Sequence, residues 1–234
     1  AGYGDPVNKG YAVPYALVGG DSISTAKGYW LLAANGAIYT FGGATPFGSA
    51  KNQALTVPAV MMRRTPDDLG YWIVTADARV FGYGDAKTKL YGSPAGHLLP
   101  SPIAGIEITK TGKGYWLFRA DGYIYSYGDA GKYGSLGPTH PTTAVVAMRR
   151  TATGKGYWMM TADGHVTRFG DAVTYGDTLR CQNYRGAADL LATPSGAGYW
   201  ILTHAGSVIP FGDAKRLLFP ATIAGNPLAL LGAN

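Results

Sequence analysis

The chemically capable side chains of this chain recur in register. Asp85, Asp129, Asp171 and Asp213 each follow an aromatic-Gly pair and precede an alanine. A second aromatic stands beyond three of these elements, at Tyr91, Tyr133 and Tyr175, and beyond the related Phe41-Gly42-Gly43, at Phe47. An aromatic face beside a carboxylate suits a sugar, whose C–H groups lie on the ring while its hydroxyls donate to the acid. These eight residues are the candidate glycan-binding set. Arg63-Arg64 and Arg149-Arg150 each close an apolar stretch, and Glu107 takes the place of Arg63 and Arg149 in a third copy of that stretch. If those stretches line a channel, one arginine of each pair points into it. Arg63 and Arg149 then make a candidate anion site at the channel mouth. Each set also has a structural account. Aspartates in such turns bond to backbone N–H groups, aromatics pack, and Arg pairs with Glu at solvated surfaces for little energy.

Other chemistries find no support in the spacing. His97, His140, His165 and His204 fall at non-equivalent positions without ligand spacing, so neither a metal nor a cofactor is expected. Cys181 is alone, which excludes an intramolecular disulfide and a cysteine-built metal site. There is no Gly-x-Ser-x-Gly elbow and no glycine loop opening a helix for phosphate. The expectation is a binding protein with no catalytic residues. An enzyme with a site at the channel mouth is the competing class, and it requires polar groups of perturbed proton affinity there. The net charge is +6 and the pI about 9.3. The basic residues are dispersed, which argues against nucleic acid and leaves glycans or an anionic cell-wall polysaccharide as partners. No apolar run approaches the ~18 residues of a membrane span.

The elements that must position these residues are repeats. Gly-Tyr-Trp occurs at Gly28–Trp30, Gly70–Trp72, Gly114–Trp116, Gly156–Trp158 and Gly198–Trp200, at spacings of 42, 44, 42 and 42. Two large apolar residues follow each Trp. Next comes Asn35-Gly36, Asp77-Ala78, Asp121-Gly122, Asp163-Gly164 or Ala205-Gly206, then a β-branched residue, then the aromatic-Gly element. Upstream of each copy lies another apolar stretch, four of which end in Thr65, Thr109, Thr151 and Thr193. Glycine reaches 35 of 234 residues, about twice its ordinary share. With 47% hydrophobic and 15% charged residues, this reads as many turns between buried segments and not as disorder.

Each unit reads as four short strands. The Asn-Gly and Asp-Gly pairs predict two-residue hairpins of type I′. The strand after Gly-Tyr-Trp is apolar at consecutive positions, so both of its faces must be buried. Units of about 40–45 residues with four strands predict a propeller. A β-trefoil requires a multiple of three units. The expected fold is all-β, a single domain over residues 1–234 forming a five-bladed β-propeller of four-stranded antiparallel blades. The alternative is six blades with one incomplete, because Tyr3-Gly4-Asp5 and Pro227–Leu231 look like partial copies. The start at Ala1, without Met, reads as a mature end left by a signal peptidase or as the boundary of a piece.

The run Gly-Tyr-Trp, Asp-Gly, Phe-Gly-Asp-Ala, Tyr-Gly-Ser resembles the propeller repeats of secreted actinobacterial proteins, from about residue 11 to 220. The five-fold layout is similar to tachylectin-type propeller lectins in unit number and size. The resemblance implies a secreted, extracellular protein and a multivalent lectin-like role toward cell-surface or cell-wall glycans. The alternative is a protein-docking propeller within a larger secreted assembly.

Overall fold

Every repeat folds as three antiparallel strands, and the computed structural model describes them within residues 15–179 and 186–217. Tyr3-Gly4-Asp5, Cys181 and Pro227–Leu231 lie outside the described residues. The first sheet holds β1 (Leu17–Ser22), β2 (Gly28–Ala33) and β3 (Ile38–Gly42). The second holds β4 (Ala59–Arg64), β5 (Gly70–Thr75) and β6 (Val80–Gly84), and the third β7 (Ile103–Ile108), β8 (Gly114–Arg119) and β9 (Ile124–Gly128). The fourth holds β10 (Val145–Arg150), β11 (Gly156–Thr161) and β12 (Val166–Gly170), and the fifth β13 (Ala187–Ala192), β14 (Gly198–Thr203) and β15 (Val208–Gly212). In each sheet the middle strand pairs with both others. The first strands lie side by side between sheets, β1 by β4, β4 by β7, β7 by β10 and β10 by β13.

The middle strands are buried as their composition requires. All six residues of β5, β8 and β11 are buried. Trp30, Trp72, Trp116 and Trp158 lie almost wholly out of solvent. Each packs its ring against a tyrosine of the next sheet. Trp30 meets Tyr71 at 5.5 Å and Trp116 meets Tyr157 at 5.6 Å, both edge-on. Burying such rings contributes about 1.5–3 kcal/mol each. The core therefore lies in the seams between sheets.

The expected fourth strand is not there, and the sheets have three strands among the described residues. The segment after each outer strand instead bonds to side chains. Its carbonyls accept the indole N–H of its own repeat, as from Trp30 to Thr45 at 2.8 Å and from Trp116 to Gly131 at 2.7 Å. It also meets the tyrosine hydroxyl of the next sheet. Gly48, Gly92, Gly134 and Gly176 hold φ between +120° and +130° there, which breaks an extended run. A Cβ on Gly134 would lie 2.6 Å from the Phe169 ring, so the close approach excludes any side chain.

The hairpin between middle and outer strands also differs from expectation. Positive φ falls only on the second residue of each pair: Gly36, Ala78, Gly122, Gly164 and Gly206. Gly36 N–H donates to Ala33 O at 2.8 Å, and Ala33 N–H to Ala37 O at 2.9 Å. This is a three-residue loop closed by a left-handed residue. The preceding Asn or Asp accepts from the backbone two residues on, as Ala37 N–H donates to Asn35 Oδ1 at 3.1 Å. A register shift between the first and third residues marks the first strand of every sheet.

Candidate functional site: the cavity between the first strands

Asp21, Arg63, Glu107, Arg149 and Leu191 occupy one position in the five first strands, each opposite the Trp of its middle strand. Side chains alternate along a strand, so Asp189 shares its face with Leu191. These residues reach toward the next sheet. Arg63 Nε donates to Glu107 Oε2 at 3.2 Å. Arg149 Nη2 donates to both carboxylate oxygens of Asp189, at 2.8 and 3.0 Å. Glu107 Oε1 accepts the backbone N–H of Arg150 at 3.3 Å, and Asp21 Oδ2 that of Arg64 at 3.0 Å. An acid–base alternation thus runs from sheet to sheet and reaches the fifth through Asp189, two residues before Leu191.

Two cavities flank this charged belt and share Gly20, Arg63 and Arg149. The one on the side of the strand one–two turns has a volume of about 440 Å³ and is lined from all five sheets, including Asp21, Arg64, Glu107, Lys110, Arg150 and Leu191. The other, about 230 Å³, is walled mainly by small and apolar residues such as Gly19, Val60, Ala104 and Val146, with Asp189. Burial works against the charge on Arg63, but Glu107 and then Asp21 outweigh it and hold the guanidinium above its ordinary value. Burial and then the neighbouring Arg63 pull Arg149 down, against Asp189 and Glu107. Burial pushes the Asp21 carboxyl up despite the pull of Arg63. Arg63 Nη2 is buried with no hydrogen-bond partner among the described residues.

The two predicted arginines are therefore brought to one cavity. Of the eight predicted groove residues, the four aromatics sit in the seams between sheets, while the four aspartates bond within their own repeat, and Asp129, Asp171 and Asp213 are exposed. Asp129, Asp171 and Asp213 accept hydroxyls from the turn between the first and middle strands: Thr111, Thr151 with Thr153, and Thr193 with Ser195. Asp85 pairs with Lys89. Phe47, Tyr91, Tyr133 and Tyr175 are half-buried against the next sheet's tyrosine, at centroid distances of 5.6–5.7 Å. The three tyrosine hydroxyls are also engaged: Tyr91 donates to Gly112 O at 3.0 Å, Tyr133 to Gly154 O at 3.2 Å and Tyr175 to Gly196 O at 3.1 Å. Tyr133 lies against Gly170, next in sequence to Asp171 of the following repeat, and against Gly131 of its own.

Asp21 and Lys110 line the larger cavity and Asp189 the smaller one, and the sequence reading does not name these three. No helix among the described residues is long and apolar enough to cross a membrane. Compared with known proteins, the chain matches no family model and no curated protein.

Proposed function

We propose that this protein is a five-bladed propeller acting as an extracellular binding module for cell-surface or cell-wall glycans, with no chemistry of its own. The observation that carries this reading is the cavity between the first strands. It gathers charged side chains from successive sheets around about 440 Å³ of open space, a volume in the range of small-ligand sites. The mutual pairing of Arg63 with Glu107 and of Arg149 with Asp189 favours binding over catalysis, because the carboxylates are already held by cations. The seam residues support one site per chain at this cavity, with the inter-sheet grooves serving cohesion.

The test is a glycan-binding screen of the purified chain at two salt concentrations, with wall polysaccharides included. Binding to a defined sugar that persists in salt supports the reading. Absence of binding to any glycan overturns it. A docking platform is the second reading, and Leu69, Leu90 and Leu98 of the second repeat favour it, being 58%, 51% and 98% exposed. It predicts capture of a discrete protein that no sugar displaces.

A further inference from the structure

The five cations of the larger cavity are not equally engaged. Arg149 is held by Asp189 and by Met148 O at 2.9 Å. Arg64 is held by Asp68 at 2.8 Å and by the carbonyls of Thr65 and Pro66. Arg150 has the Thr151 carbonyl at 3.3 Å but no ion pair among the described residues, and neither has Lys110, which is exposed. Arg63 binds Glu107 through Nε and Met62 O through Nη1 at 3.0 Å, which leaves Nη2. Against Arg63, Arg64, Lys110, Arg149 and Arg150 the cavity wall sets only Asp21 and Glu107. Adding Asp68 and Asp189, which hold Arg64 and Arg149, still leaves an excess of cation.

Resting on the glycan reading, we infer that this cavity receives the anionic group of an acidic sugar, a carboxylate or phosphate, against the cations of its wall, Arg63, Lys110 and Arg150. A charged acceptor makes a shorter and stronger bond to a guanidinium than a sugar hydroxyl does. Lys110 and Arg150 supply a positive field around it. Asp21 and Glu107 are tied into the belt: Asp21 accepts from Ser22 N–H and Arg64 N–H, and Glu107 from Arg63 Nε and Arg150 N–H.

The experiment is calorimetric titration of the full chain with glucuronate, glucose 1-phosphate, glucose and inorganic phosphate. The two acidic sugars are expected to bind at least tenfold more tightly than glucose. Arg63→Gln should remove most of that difference. Because that change also disturbs Glu107, Leu191→Asp and Leu191→Arg carry the test at a half-buried wall position outside the ion pairs. Leu191→Asp should weaken the acidic sugars at least tenfold, and Leu191→Arg should not weaken them. Equal binding of glucose and the acidic sugars, or indifference to Leu191→Asp, overturns the anion site and leaves the glycan reading standing. Inorganic phosphate binding as tightly as glucose 1-phosphate keeps the anion site and overturns the glycan reading. Binding of none of the four overturns the anion site, and the polysaccharide screen then decides the glycan reading.

Discussion

The hydroxyl of Tyr115 donates to the carbonyl of Gly92 at 2.7 Å, across the seam between the second and third sheets. The same oxygen accepts the Tyr91 N–H at 3.1 Å. Tyr71, Tyr157 and Tyr199 donate in the same way to Gly48, Gly134 and Gly176. One phenol thus replaces two ladder bonds that a fourth strand would have made. Burial pushes the Tyr115 and Tyr157 phenols up to about 12, so they remain protonated donors at any ordinary pH. These seams hold successive first strands in register, and that register sets Arg63 against Glu107.

Tyr115→Phe should therefore cost more than the loss of one exposed hydroxyl. It strands the Gly92 carbonyl and the Tyr91 N–H in a partly buried seam, at about 1 kcal/mol. Tyr29 holds the same position in the first sheet, is half-buried, and its hydroxyl has no partner among the described residues. Tyr29→Phe should change stability by less than about 0.5 kcal/mol. Urea unfolding of both variants checks this. Equal losses would show that the phenol bond is not what secures the seam.

Gly134→Ala and Gly96→Ala separate two demands on glycine. Both positions have positive φ, +123° and +84°. A Cβ at Gly96 meets nothing within 4 Å, whereas at Gly134 it meets the Phe169 ring at 2.6 Å. Gly96→Ala should cost about 1–2 kcal/mol from the backbone alone. Gly134→Ala should exceed it, since an aromatic ring packed in a seam must move. Denaturant midpoints of the two variants give the order directly.

How much of this was legible in the sequence follows from which interactions are local. The middle strands could be read from consecutive apolar residues after Gly-Tyr-Trp, and the outer strands from their spacing to Phe41, Tyr83, Tyr127, Phe169 and Phe211. The fourth strand was read from Phe47-Gly48 and its equivalents, where an aromatic and a glycine look the same whether they pair in a ladder or cap a neighbour's tyrosine. The type I′ turn was read from Asn35-Gly36, yet Ala78 adopts φ +71° in the same loop without glycine. The loop geometry therefore comes from the hydrogen bonds and not from the dipeptide. At the cavity, Arg63 and Arg149 were visible as paired arginines. Asp189 was not, because its partner lies 40 residues away and it sits off the repeat position.

Acid should weaken the fold through its paired aspartates. The Arg119 guanidinium holds the Asp121 carboxyl below the usual carboxylate range, helped by the Tyr123 N–H. At Asp163 burial works the other way but is outweighed by the Thr161 hydroxyl and the His165 N–H. A carboxyl whose folded value lies below its unfolded value binds fewer protons when folded. Its contribution is complete above about pH 4 and is lost as the pH falls through the folded value. Asp21, raised by burial, acts in the opposite sense. Urea midpoints from pH 7 to pH 2.5 should fall below about pH 4, and Asp121→Asn should flatten that fall. A profile for Asp121→Asn parallel to that of the unaltered chain would remove Asp121 from the account.

The Arg149–Asp189 pair sets apart breaking a buried ion pair and replacing it. The side chains are 10% and 5% exposed, and the pair joins the fourth and fifth sheets at the cavity. Removing one partner by Asp189→Leu leaves a guanidinium facing Arg63 and should cost about 3–5 kcal/mol. Arg149→Met takes the bidentate guanidinium away from Asp189 and should also destabilise the chain. The double variant buries two apolar chains of similar size and should recover most of the loss, since the desolvation of both ions is avoided. The expected coupling is therefore large and opposite in sign to the single losses. Additive losses in urea unfolding would mean that the two side chains stabilise the seam independently. The belt would then contribute through packing and not through its charges.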